Sequence, residues 1–374
     1  MDQTRAPTAD ELAKPVPRLI GHLHAFRGVT IVMIVAVHVG AILRFFNYDL
    51  DNGGLGIEIT AFALEAGVHN ATMFFAFISG LLFAQVLEPR GWKRFFGSKL
   101  RNVALPYLVV SAGYTLFALA LLDGGYIEPF SGSLRDYLDR YIESVFHLEV
   151  QSNPILWYLP VLLILFALTP LIVPLLRSRA GPIAMAILLL LPLYFSRTWP
   201  LFSWDNVVFF LAPYAAGLFF GTPTRYGPTL DFARRHVFGF VAVFLAASVA
   251  IWFVLAQETQ PVLWHGTDLF ESSSYIQKMA AIPLLLLALR PFDRQVPRFL
   301  SRLADDSFAI YFLHIWPVVG LLWLVDTYWG ALSSPLLYLA LTIAGTVAIC
   351  AMLVVIIGVL RRLLGKWSRP LIGA

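Results

Sequence analysis

The sequence predicts an all-α polytopic membrane protein with about ten transmembrane helices and both termini in the cytoplasm. Three observations carry this expectation. Of 374 residues, 59% are hydrophobic and only 13% charged, whereas a soluble domain is nearer half apolar and a quarter charged; mean hydropathy is +0.74. Apolar runs of spanning length recur along the whole chain. Basic residues gather between those runs on alternate sides, as topology requires.

The runs lie at 28–46, 71–88, 103–122, 155–176, 181–196, 206–221, 237–256, 275–290, 307–325 and 336–360. Their lengths suit helices that cross an apolar layer of about 30 Å with variable tilt. With the N-terminus placed in the cytoplasm, 22 of the 27 Lys and Arg residues fall in cytoplasmic segments. Arg44, Arg135, Arg140, Arg197 and Lys278 are left over. Of 23 acidic residues, 15 fall on or near the opposite side. Shifting one boundary would scramble the alternation. The same pattern accounts for the net charge of +4 and the pI of 9.2. No Lys/Arg cluster is interleaved with aromatics in a soluble segment, which argues against nucleic acid.

The expected organisation is a cytoplasmic tail over 1–21, one membrane domain over 22–362 and a short cytoplasmic tail over 363–374, with no soluble domain appended. The first eighteen residues are polar and punctuated by proline. The run that follows holds Arg27 and His38 and lacks a small-residue cleavage site, so it reads as a retained span rather than a signal peptide. The single cysteine, Cys350, lies in an apolar run and reads as a packing residue. Longer connections at 47–70, 123–154 and 257–274 lie on the outer side. Within the second, LRDYLDRYIESVFHLEV reads as a surface helix with Leu138, Ile142 and Val145 along one face, an interfacial lid in preference to a partner-binding element. Asn70-Ala71-Thr72 matches a glycosylation acceptor but abuts a span and reads as accidental. The sequence holds no phosphate-loop, nucleophile-elbow or zinc-protease motif, no repeat of 20–50 residues, and no expected metal site.

Four stretches carry candidate chemistry. In HLHAFRGVTIVMIVAVHVG, Arg27 and His38 are eleven positions apart, which on a helix leaves them within about 20° of one face and about 16 Å apart along the axis. With Arg27 near one surface, His38 falls near mid-membrane. Ionisable groups at that depth face a protein interior or a watery cavity. An imidazole there serves either as a general base or as an interhelical hydrogen-bonding group. The basic turn RGWKRFFGSKLR, with Arg94, Lys99 and Arg101, is either a topological anchor or a seat for a phosphate-bearing donor. In MFFAFISGLLF, Ser79-Gly80 permits close helix packing or lines a path beside His38. FAIYFLHIW places Tyr311 and His314 three apart on one helical face, a polar interior path or a packing hydrogen bond. Trp157, with Tyr158, heads the fourth run as a belt residue and joins Ser79, Tyr311 and His314 as possible site lining.

In this order and spacing, the four stretches resemble the acyltransferase 3 family of membrane O-acyltransferases over nearly the whole chain. The likeness rests on Arg27-Gly28 with His38, on Phe74, Phe75, Ser79 and Gly80, on Lys99 and Arg101 running into Pro106-Tyr107, and on Ile310, Tyr311 and His314. Two positions depart from the family pattern. His24 stands where the family opens on aspartate, and Lys99 with Asn102 stands where the family has Arg-x-x-Arg. The resemblance implies a multi-pass enzyme of a bacterial inner membrane. Its co-substrate would be a cytoplasmic acyl-CoA, acetyl-CoA or succinyl-CoA, and its acceptor a hydroxyl, commonly of a carbohydrate. His38 would either deprotonate the acceptor for direct attack or carry the acyl group itself, with Arg27 beside it in the catalytic set, and Arg94, Lys99 and Arg101 would hold the donor's phosphates. Beyond membrane lipids, donor and acceptor, no partner is implied. On physics alone, a secondary transporter or flippase for a small anionic or lipid-linked substrate fits ten spans with buried His and Arg, and a non-catalytic scaffold is a third reading.

Overall fold

Between Pro17 and Pro89 no proline interrupts the chain, and helix α1 (Gly21–Asn47) runs unbroken for 27 residues. The computed structural model describes residues 21–47, 55–121, 133–146, 156–197, 203–255, 262–263, 267–328 and 334–374, and nearly all of them are helical. Around α1 pack α2 (Leu55–Val68), α3 (Thr72–Leu82), α13 (Arg298–Asp305), α14 (Ser307–Leu313), α15 (Ile315–Tyr328) and α16 (Pro335–Leu364). The contact with α13 is close because Gly28 has no side chain; a Cβ there would lie 2.6 Å from Leu300 Cδ1.

The second span differs from expectation. Ile59–Arg90 is a 32-residue apolar rod, so the run at 71–88 is only its second half, and residues 59–70 are not an outer connection. The rod is broken at Asn70, whose φ of +55° lies in the left-handed region that Asn tolerates better than most residues. The break is stabilised locally by bonds from His69 N–H to Glu65 O at 2.8 Å and from Ala71 N–H to Val68 O at 3.2 Å. Below it, α3 and α9 (Trp204–Phe220) meet backbone to backbone. A Cβ on Gly80 would fall 2.1 Å from Tyr214 O, and one on Gly217 would fall 2.1 Å from Phe77 O. Gly80 is therefore a close-packing position.

After a π-helical turn (Phe83–Leu87) the chain enters α4 (Trp92–Lys99), a second π-helical turn (Leu100–Ala104) and α5 (Leu105–Leu121). Helix α6 (Leu134–Phe146) packs through only one of the three residues expected along one face, Val145, and leaves Leu138 and Ile142 exposed. It lies antiparallel along α5 through Tyr137, Tyr141 and Val145, which share a face at four-residue spacing. The Tyr137 hydroxyl donates to Ala112 O (3.0 Å), Tyr141 to Leu108 O (3.0 Å) and, in return, Tyr107 to Val145 O (3.1 Å). Leu138 and Ile142 remain 43% and 48% exposed. The tyrosines win this face because each covers apolar surface and still satisfies its hydroxyl.

Next come α7 (Tyr158–Arg177), α8 (Gly181–Tyr194), α9, and α10 (Pro223–Arg235), which leaves α9 at 106°. Helix α11 (Val237–Leu255) is followed by two-residue strands, Val262–Leu263 and Thr267–Asp268, paired antiparallel. Asp268 then caps α12 (Leu269–Ala288), its Oδ1 accepting from Phe270 N–H at 2.8 Å and Glu271 N–H at 3.3 Å, as an N-cap carboxylate should. Helices α14 and α15 meet at 48°. Past α16, the short α17 (Ser368–Ile372) folds back against α5. Cys350 is buried and free.

Helices cover all ten predicted runs. Among the described residues, five are long and apolar enough to cross a membrane, or seven if each bent pair, α9 with α10 and α14 with α15, is one span. The other three, α5, α8 and α12, are short or carry a polar face.

Candidate active site

Two histidines meet where α14 gives way to α15. His38 Nδ1 lies 2.8 Å from Ile34 O on its own helix, and His314 Nδ1 lies 2.8 Å from Tyr311 O and 3.2 Å from Ile310 O. A carbonyl only accepts, so in the neutral rings these partners assign the proton to Nδ1 of each. His314 Nε2 is then a bare lone pair, and it sits 3.3 Å from His38 Nδ1, sharing that proton with Ile34 O. The same reasoning leaves His38 Nε2 unprotonated and basic. The rings meet edge to face with centroids 4.8 Å apart. His314 is fully buried and His38 partly so.

Aromatic contacts extend this pair. The His314 ring is 5.8 Å from Tyr311, Tyr311 is 6.4 Å from Tyr158, and Tyr158 is 5.9 Å from Trp157. Tyr311, His314 and Trp157 thus join His38 in one chain of rings. Trp157 is buried beneath Arg197, whose guanidinium carbon is 5.3 Å from the ring centroid, instead of serving as a belt residue. The Tyr158 hydroxyl is buried and has no hydrogen-bond partner among the described residues. Ser79 is buried on α3 beside Gly80.

Arg27 is anchored at the other end of α1, its Nη2 donating to Ser307 Oγ at 2.8 Å. It opens onto a polar cavity of about 670 Å³ that also holds Lys99, Arg101, Arg361, Lys366 and Arg369. Three stretches remote in sequence therefore place six cations on one cavity. One acid, Asp305, also lines it, and the buried Asp306 is paired with Arg361. Arg94 is exposed on α4 and is not among the lining residues. Lys99 lies over the Phe166 ring at 4.2 Å. Burial, with Arg27 nearby, pushes its ammonium down to about 7. An anion entering the cavity would restore the charge. His24 sits on the same helix, its Nε2 3.1 Å from Ser301 Oγ and 3.6 Å from Asp305 Oδ1.

A second polar cluster was not anticipated. At the break in the second span, His69 bridges two carboxylates, with Nδ1 2.7 Å from Glu65 Oε1 and Nε2 3.0 Å from Glu271 Oε1. Asn70 Nδ2 donates to Glu271 Oε2 at 2.7 Å, and Arg197 Nη1 donates to Asn70 Oδ1 at 2.8 Å. Lys278 Nζ donates to Ala66 O at 3.0 Å. A signal was present in the sequence: Arg197 and Lys278 are two of the five basic residues that the alternation of charge does not absorb. Asn70 is buried and fully engaged here, in keeping with its reading as an accidental glycosylation match.

This arrangement places an unprotonated ring nitrogen inside the protein, eleven residues or about 16 Å along α1 from a residue that lines a cation-rich cavity. Among the described residues no group of three or more His, Cys, Asp or Glu could hold a metal ion. No protein of curated function and no solved structure matches the chain. A family of acyltransferase domains does, over residues 20–355. With that match covering nearly its whole length, the chain belongs to the acyltransferase 3 family, multi-pass membrane proteins that transfer acyl groups.

Proposed function

We propose that the protein is a membrane O-acyltransferase that moves an acetyl or succinyl group from cytoplasmic acyl-CoA to a hydroxyl of a carbohydrate or other cell-envelope acceptor. The reading includes ten spans, both termini in the cytoplasm of a bacterial cell, and one domain over 22–362. The observation that carries it is the His38–His314 pair, which leaves His38 Nε2 as the free base. Lys99, Arg101 and Arg27, joined by Arg361, Lys366 and Arg369, hold the donor's phosphates. The pantetheine arm extends along α1 over about 16 Å to bring the thioester to His38. As the acceptor oxygen attacks the thioester carbon, His38 Nε2 takes its proton. The tetrahedral centre collapses, the C–S bond breaks, and the imidazolium returns the proton to the leaving thiolate. His314 holds the His38 ring and accepts from its Nδ1 while the charge is present.

The test compares wild-type and His38→Ala protein with acetyl-CoA and succinyl-CoA, following binding and slow thioester hydrolysis. Binding by both proteins with hydrolysis by the wild type alone supports the assignment; unchanged turnover in the variant ends it. A transporter is the second reading, favoured by the broken second span and the bent α14–α15 pair, since discontinuous helices mark transport sites. Failure of folded wild type to bind either thioester, with ion-driven uptake in vesicles, would favour that reading.

A further inference from the structure

Away from the histidines, two cavities adjoin on the flank formed by α10, α11 and α12. The first, about 740 Å³, is apolar, with buried Phe77 and Tyr275 in its wall and Phe240 and Met279 beside them. The second, about 750 Å³, is lined by Arg234, Arg290 and Arg294. Consecutive residues on two helices lie on either side of the boundary between them: Ala233 and Leu286 line the first cavity, Arg234 and Leu287 the second. The acid in the second cavity, Asp293, is already engaged, its Oδ1 taking the His22 backbone N–H at 3.0 Å and lying 2.6 Å from His22 Nδ1. None of the three arginines forms an ion pair among the described residues.

An apolar cavity of this size beside an arginine-lined one is a divided environment. Water has few polar partners in the first part, and a deep hydrocarbon-lined cleft of several hundred Å³ is a ligand site. The flank is also the one most open to lipid, since only 17% of the α11 span is buried inside the protein. The 106° turn into α10 suits a helix that lies along the interface.

We propose that this flank binds an anionic phospholipid, with an acyl chain in the apolar cavity and the headgroup phosphate on Arg234, Arg290 and Arg294. The site is independent of the acyl-transfer reading. Three arginines against one carboxylate, Asp293, leave the cavity net positive, which selects against zwitterionic lipids, and the neighbouring apolar groove selects against a free phosphate.

Native mass spectrometry of the full chain in detergent, titrated with phosphatidylglycerol or phosphatidylcholine of identical chains, tests this. Each engaged arginine is expected to contribute about fivefold in affinity. Phosphatidylglycerol should therefore bind roughly a hundredfold more tightly, and the variant Arg234→Gln/Arg290→Gln/Arg294→Gln should lose that preference. Shortening the chains to six carbons should weaken binding by wild type, and Ala233→Phe should do the same for long-chain lipid. Helicity and melting in phosphatidylcholine establish that each variant is folded; the chain-length series needs no variant at all. Equal binding of the two lipids, a preference that survives the triple substitution, or affinity indifferent to chain length would overturn the proposal. So would displacement of phosphatidylglycerol by coenzyme A, which would make the arginines a soluble-nucleotide site.

Discussion

If His314 positions His38 and stabilises its imidazolium, removing its acceptor nitrogen should lower kcat without weakening donor binding. In His314→Leu, His38 Nδ1 loses the lone pair at 3.3 Å but keeps Ile34 O at 2.8 Å, so the ring retains its tautomer. What disappears is one long hydrogen bond that strengthens when His38 becomes charged. Hydrogen bonds to charged groups contribute about 1.5–3 kcal/mol. At 3.3 Å the lower end applies, so kcat should fall about tenfold, with donor KM unchanged. His314→Gln keeps an acceptor oxygen and should recover most of the rate. The assay is steady-state transfer or thioester hydrolysis, with melting temperature as the check on folding. A Leu variant that turns over within twofold of wild type would refute the pairing argument. Equal impairment of Leu and Gln variants with a raised KM would point to disturbed packing instead.

Five further outcomes are expected. His38→Ala should reduce transfer by about 10²–10⁴-fold, the range of a general base, while coenzyme A binding persists by calorimetry. Lys99→Ala and Arg101→Ala should each weaken donor binding by tenfold or more, at about 1.5–3 kcal/mol per charge-assisted bond, with little change in kcat at saturation. Lys99 is pushed down to about 7, and phosphate needs its charged form; donor affinity should hold below that pH and fall above it by up to about tenfold per pH unit. Calorimetry in buffers of different ionisation enthalpy should show proton uptake, absent in Lys99→Ala. Glu271→Ala leaves the buried His69 and the half-buried Arg197 without their shared carboxylate and should destabilise the protein by about 3 kcal/mol, the lower end for a broken buried pair, read as a large fall in melting temperature. Gly80→Ala drives a Cβ to 2.1 Å from Tyr214 O; separating α3 from α9 should cost about 1–3 kcal/mol, whereas wild-type stability would show that the helices do not touch there.

Hydropathy and the alternation of basic residues made the helical membrane character legible, because the cost of burying charge and unsatisfied backbone acts locally along the chain. Spacing also found Arg27 and His38, since one uninterrupted helix carries both. Tyr311 and His314 were legible for the same reason. What the sequence did not disclose depends on contacts between remote segments. The break at Asn70 joins an apolar run to a stretch that hydropathy leaves as a connection, and it persists because Glu271 and Arg197, each on another stretch, satisfy His69 and Asn70 there. The face on which α6 packs was decided by carbonyls on α5 that its own periodicity cannot report. Arg361, Lys366 and Arg369 look like topological anchors in sequence and become part of a cation-lined cavity only when α17 folds back against α5. The tautomer of His38, on which its proposed role rests, follows from Ile34 O below it and His314 Nε2 beside it. Composition determines which segments leave water; only the packed structure decides which polar groups they leave it with.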